Sequence, residues 1–144
     1  MKIGGLLKRT HILHSQRINE KLKQYDLTTS QLEVLIKVTI ANEKNVLINQ
    51  RDIEKRTNLT NPTVTGLINR LEMKGLIKRV ENDKDKRIKN LYITEKARYL
   101  NKEFRNIFDK SDSIALKGFS EEEKENLEKY LLRMMENLMK EEIK

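Results

Sequence analysis

"NLTNPTVTGLINRLEMKGLIKR", residues 58–79, holds the chain's only proline and two of its five glycines. Thr60 or Asn61 can cap a helix, Pro62 belongs in its first turn, and Gly75 ends it by taking the left-handed conformation. With Val64 at the centre of one face, Leu67, Ile68 and Leu71 follow at i+3, i+4 and i+7, which gives one apolar stripe for a core. The opposite face carries Pro62, Gly66, Asn69 and Met73, flanked by Thr63, Thr65 and Arg70. Apart from Met73 these are small or hydrogen-bonding groups, unlike the Glu/Lys mixture of a merely solvated helix. Beyond Gly75, Leu76–Glu81 and Ile88–Thr94 are rich in β-branched residues, and the polar link "NDKDKR" between them predicts a hairpin with a solvated tip.

Working outward, residues 1 to about 24 read as a helix with Leu6, Leu7, Leu13, Ile18 and Leu22 as its apolar positions. A second opens at "LTTSQLEVL", where Thr28 and Gln31 form a capping-box pattern and Leu27 with Leu32 fits the hydrophobic staple. Val46-Leu47-Ile48 predicts a short strand, and Asn49 caps a brief third helix carrying Ile53. Asn58 and Leu59 make a tight connection into the opening stretch. A fifth helix runs from Thr94 to about Lys117, where Gly118 breaks it. Ser120 and Glu123 box the start of a last one with Leu127, Leu131, Met134, Met135 and Leu138 as its apolar positions. Two helices joined by a short turn and followed by a hairpin make a winged helix-turn-helix, so the fold class is mainly α with a small β-hairpin.

A chain of 144 residues is most simply one unit. It has no cysteine, which excludes disulfides, thiolate metal sites and cysteine redox sensing. The apolar run of MKIGGLLKR is too short for a signal peptide, and no stretch approaches the roughly 18 apolar residues of a membrane span, so a soluble, cytoplasmic protein is expected. The net charge of +8 is localised: residues 44–105 hold 16 Lys and Arg against 8 Asp and Glu, and the remainder balances to zero. Positive charge gathered on one segment suits a polyanion, because each neutralised phosphate releases condensed counterions. A solvated surface that happens to be basic is the blander account.

The small polar face has chemistry suited to a DNA groove. Asn can read adenine with two hydrogen bonds, Arg can read guanine, and Thr can bond phosphate or meet a thymine methyl. For Thr60, Asn61 and Thr63, capping and contact stand about even. In the hairpin, Lys84, Lys86, Arg87 and Lys89 crowd the tip with Asp83 and Asp85 between them. An arginine on a thin projecting loop can enter the narrow, negative minor groove. Asp85 cannot favour DNA directly, and the expectation is that it pairs with a nearby Arg or Lys and shapes the loop.

These segments resemble the multiple antibiotic resistance regulator (MarR) family of bacterial transcription factors. "LTTSQLEVL" resembles the family's opening of the second helix, and "NLTNPTVTGLINRLEMKGLIKR" its recognition helix running into the first wing strand. "NDKDKRIKNLYITEKA" resembles its wing, with Asp85 and Arg87 on the Asp-x-Arg pair. The resemblance spans residues 27–98. It implies a winged helix-turn-helix lobe over 28–98, flanked by dimerisation helices at 1–24 and 99–144, and a homodimer on a pseudo-palindromic operator. The family's usual mode is repression, often relieved by a small anionic or aromatic effector held between the dimer helices and the DNA-binding lobe. At Gly66, where the family often carries a larger, frequently basic residue, this chain has only backbone: it permits closer approach or contributes nothing. His11 and His14, at i and i+3 on the first helix, could join an effector, metal or carboxylate site; the plainer reading is helix-surface or interface histidines. No cofactor is expected. An enzyme is the weakest class, since no nucleophile motif or Gly-rich phosphate loop is present. A winged helix serving only protein interaction is the rival, and it would show an exposed apolar patch where this chain places polar and basic groups.

Overall fold

The computed structural model describes residues 2–57 and 59–141. Helix α1 (Ile3–Leu22) runs into one 3-10 turn (Lys23–Tyr25), followed by α2 (Thr29–Glu43), α3 (Gln50–Thr57) and α4 (Asn61–Met73). A hairpin of β1 (Ile77–Glu81) and β2 (Lys89–Ile93) leads to α5 (Glu95–Ala115) and α6 (Glu121–Lys140). The expected helix order and hairpin are found, with ends shifted by a few residues. In the expected tight connection Leu59 is half-buried against the core, whereas Asn58 lies outside the described residues.

Local chemistry sets the helix ends. Thr28 accepts from the Gln31 amide while the Gln31 side chain accepts from the Thr28 amide, and Ser120 and Glu123 repeat that box at α6. Asn49 and Asp52 do the same for α3, at 2.9 and 3.1 Å. Thr60 caps α4, placing Asn61 and Pro62 in its first turn. At the far end Gly75 has φ +71°, and the amides of Gly75 and Leu76 bond the carbonyls of Glu72 and Leu71, each at 2.9 Å. That is the paired closure of a glycine-ended helix. The Thr94 hydroxyl then donates to the Gly75 carbonyl at 2.6 Å and the Lys96 ammonium to that of Lys74 at 2.9 Å, so the end of α4 is tied to the start of α5.

The core is built around α2, whose Leu32, Val34, Leu35 and Val38 are completely buried. Val64, Ile68 and Leu71 of α4 pack into the same core from one side, with Ile53 of α3 and Ile77 and Leu91 of the hairpin. From α1, Ile18 and Leu22 join it, and Phe104 of α5 meets the Tyr25 ring edge-on at 5.3 Å.

The strand expected at 46–48 does not form. Val46 and Leu47 are exposed, and only Ile48 is buried, its carbonyl accepting from the Leu91 amide at 2.8 Å. The rest of that edge of β2 is taken by a side chain. Asn42 donates from Nδ2 to the Leu91 carbonyl at 3.2 Å and accepts at Oδ1 from the Ile93 amide at 2.8 Å. A carboxamide carries one donor and one acceptor in the geometry of a peptide, so Asn42 pairs with β2 as a neighbouring strand would.

Replacing Asn42 by Ala removes partners from two β2 backbone groups. At roughly 1 kcal/mol per lost hydrogen bond, the expected loss of unfolding free energy is about 2 kcal/mol. Urea denaturation reads it; an unchanged midpoint would mean that water substitutes for the amide at no cost.

Candidate nucleic-acid interface

Burial of the Val64, Leu67, Ile68 and Leu71 stripe turns the other side of α4 outward. Asn61, Pro62, Thr63, Asn69 and Arg70 are exposed, Gly66 is half-buried, and Met73 is 87% exposed. A Cβ added at Gly66 would meet nothing within 4 Å. Glycine costs a helix interior about 1 kcal/mol relative to alanine, and no packing inside the chain requires it here.

The polar groups on this face are held sideways by other elements. Gln50 of α3 donates from Nε2 to the Thr65 hydroxyl at 2.6 Å and to Glu54 Oε1 at 3.0 Å. The same Glu54 oxygen accepts from Asn61 Nδ2 at 2.7 Å. The Thr65 hydroxyl donates to the Asn61 carbonyl at 2.8 Å, so its proton is committed within the helix and its methyl is the part left for an outside contact. Arg79 of β1 donates to Asn69 Oδ1 and lies 3.7 Å from the Glu72 carboxylate. Among the described residues, Arg70, Lys84 and Lys86 make no ion pair within the chain.

The hairpin tip is shaped by two short side chains. Asn82 Oδ1 accepts from the amides of Lys84 and Asp85, at 2.9 and 3.2 Å. Asp85 Oδ1 accepts from the Arg87 amide at 3.0 Å and from Nε at 3.1 Å, while Oδ2 accepts from Nη2 at 3.0 Å. Arg87 is thus held along one edge of its guanidinium, through Nε and Nη2, while its side chain stays 91% exposed. The Arg87 side-chain bonds, and then its amide, hold the Asp85 carboxyl below the usual aspartate range, against a small opposing effect of desolvation. The same pairing raises Arg87. Lys89 is not at the tip: it begins β2 directly opposite Glu81 and pairs with it at 2.8 Å.

Between α3, α4 and the hairpin lies a groove of about 750 Å³, lined by Gln50, Asn61, Thr65, Arg79, Arg87 and Lys89 among others. It brings together helix and hairpin residues that the sequence placed in separate segments. A second groove of about 850 Å³ runs between α1 and α5, with Leu13, Arg17, Lys21, Tyr25, Lys110 and Ile114 in its wall. Neither His11 nor His14 is among its lining residues. His11 is exposed, and His14 straps α1 to α5 through Asp112, Nε2 to Oδ1 at 2.8 Å.

Sequence reasoning passed over Gln50, Glu54, Arg79 and Asn82, which position the groups it did name. For Arg79 a signal existed. In β1 it shares with Ile77 the face that turns toward α4, and its register partner Leu91 is buried. Gln50 and Glu54 act across a helix–helix contact that no local spacing announces.

The MarR family model matches residues 27–89. An uncharacterised HTH-type transcriptional regulator of Bacillus subtilis (strain 168), YybA, is 31% identical over 120 residues, covering 83% of this chain and 77% of that protein. The transcriptional regulator SlyA has a similar crystal structure, with TM-score 0.83 and 30% identity over 96% of this chain and 94% of that one. The S. aureus MepR–DNA complex is also similar, with TM-score 0.80 and 30% identity over 95% of this chain and 96% of that one.

The lowered Asp85 value gives a titration its sign. A carboxyl depressed in the folded chain keeps its pairing at and above the ordinary aspartate range and loses it only as pH falls through the depressed value. By carboxyl-carbon NMR, Asp85 is expected to titrate below an ordinary aspartate, and Arg87→Ala to bring it only part of the way back, since the amide of residue 87 still donates to it. An unshifted wild-type titration would show that the pair does not persist in solution.

Proposed function

The chain belongs to the MarR family, and from that premise we propose that it is a sequence-specific DNA-binding transcriptional regulator acting as a homodimer on a pseudo-palindromic operator. The carrying observation is the small polar face of α4 set beside a hairpin with an exposed arginine at its tip. On this reading Asn61, Pro62, Thr63, Thr65, Gly66, Asn69 and Arg70 enter the major groove. Thr65 presents its methyl, and Gly66 lets the backbone come close. Lys84, Lys86, Lys89 and Arg87 follow the phosphates, with Arg87 reaching the adjacent minor groove. Asp85 serves this by aiming Arg87. The rival reading as a protein-interaction module has little to stand on, since Met73 is the lone large apolar residue of that face.

Dimerisation is supported by apolar surface that one chain leaves bare. Helix α6 has no buried residue among those described; Leu138 is 74% exposed, and Leu132, Met135 and Met139 are exposed too. Leu6, Leu7 and Leu13 of α1 add to it. Apolar area of this extent on a lone chain marks an interface. We assign the lobe over residues 28–98 to DNA and the helices at 1–24 and 99–144 to the second copy. Two lobes then address half-sites about one helical turn, roughly 34 Å, apart.

Repression, the mode that membership of the family implies, is the action we propose, for a cytoplasmic regulator without catalysis of its own. The groove between α1 and α5, with Arg17, Lys21 and Lys110 against Glu20 and Glu103, suits a small anionic or aromatic effector that relieves it. Among the described residues no group of His, Asp and Glu has the arrangement of a metal site, and no helix is long and apolar enough to cross a membrane.

Selection of bound sequences from a random DNA pool tests the central claim: a two-fold motif is expected, and no enriched motif would remove it. Affinity for the selected site should fall steeply with salt, and Arg87→Ala and Asp85→Ala should each weaken it. Asp85→Ala is the more telling, because removing a negative charge beside DNA strengthens binding unless that charge holds Arg87 in place. Light scattering should give a mass near twice 17.1 kDa at micromolar concentration; a monomer there would sink the two-half-site arrangement.

A further inference from the structure

Asn69 stands in the middle of the α4 face, and its amide is not free to turn. Arginine has only donors, so the Asn69 atom that meets the Arg79 guanidinium is Oδ1, which leaves Nδ2 for another partner. Among the described residues Nδ2 has no partner, and Asn69 is exposed. Arg79 is itself constrained: its side chain is 30% exposed, shares the inward face of β1 with Ile77, and is flanked on α4 by the Glu72 carboxylate at 3.7 Å. The orientation is therefore set by the hairpin before anything binds.

An unrestrained asparagine offers a donor and an acceptor side by side, the pattern that matches N7 and N6 of adenine. An asparagine oxygen that already holds a guanidinium N–H keeps a second lone pair, but beside that positive charge a further donor is disfavoured and Nδ2 becomes the leading contact. The major-groove edges that accept without donating are those of guanine, through O6 and N7, and of thymine, through O4. We infer that Arg79 is a specificity-determining residue: by holding Asn69 Oδ1 against its positive charge it makes Asn69 lead with its donor, so that this position selects guanine or thymine and disfavours adenine. This rests on the DNA-binding reading above and adds to it the chemistry of one base position.

The test compares motifs selected from a random duplex pool by the full-length protein and its variants. Asn69→Ala locates the position, as the one whose preference collapses. There the wild type should favour guanine or thymine over adenine by roughly tenfold, within the range of a good base contact. Arg79→Lys keeps a donor-only cation and should keep that preference. Arg79→Gln, which can accept as well as donate, should raise adenine severalfold. Asn69→Asp, at an exposed site that does not endanger folding, still engages Arg79 but presents acceptors only. It should move the preference to the donor edges of cytosine or adenine. Wild-type selection of adenine, no position sensitive to Asn69→Ala, or a profile unchanged in both Arg79→Gln and Asn69→Asp would each overturn the inference while leaving a DNA-binding protein. A wild-type pool with no enriched motif would overturn the DNA reading and this inference together.

Discussion

The interface side of the molecule depends on one constraint: α4 must bury Val64, Leu67, Ile68 and Leu71 against α2 and its neighbours. The helix has 13 residues, so that stripe fixes its rotation about its own axis. Turning it by one residue, about 100°, would put polar groups into a core where every hydrogen bond would have to be replaced. Everything exposed on α4 is exposed because this stripe is not. The end of the helix is held as firmly, since Gly75 and Leu76 close it and Thr94 and Lys96 bind its last carbonyls. The position of the hairpin relative to α4 follows from those same few residues.

Within the basic segment, the acids are not scattered at random. Glu54 binds Gln50 and Asn61, Glu72 flanks Arg79, Glu81 faces Lys89, and Asp85 grips Arg87. Each lowers the net attraction for a polyanion, and each removes freedom from a side chain that could meet it. At exposed sites such pairs contribute little to stability. Their value lies in orientation, because a side chain already held in place loses less entropy when it binds. Arg70, Lys84 and Lys86, without such partners, are left to provide diffuse positive charge.

What could be read in the sequence was what is local. Caps at Thr28, Asn49 and Ser120 involve residues three apart and could be read from spacing, as could the apolar stripe of α4 and the glycine at its end; at α4 spacing left Thr60 and Asn61 open, and Thr94, expected to start α5, caps it instead. The strand at 46–48 misled because β-branched composition does not say whether a neighbour needs a ladder, and here Asn42 supplies most of it from 49 to 51 residues away. The contacts of Gln50 with Thr65 and of Arg79 with Asn69 cross element boundaries and depend on crossing angles that no periodicity encodes. The apolar residues of α1 and α6 were legible as stripes; that one chain leaves them bare was legible only once the lobe's core was seen to be complete without them.

Helix α5 connects these two halves of the molecule. Capped by Thr94, immediately after β2, it continues without a break from Glu95 to Ala115, 21 residues or about 31 Å of one rigid element. Its first turn is bonded to the end of α4, and Phe104 in its middle is packed on Tyr25. Toward its far end Asp112 binds His14, and Ile114 borders the groove against α1. A helix packed in this way moves as a unit rather than bending at an arbitrary point. In the proposed dimer, a change in how α1 and α5 sit around that groove therefore shifts the base of the hairpin and the end of α4 together. The spacing of the two reading faces is then the quantity an effector would alter, with the contacts inside each lobe left as they are.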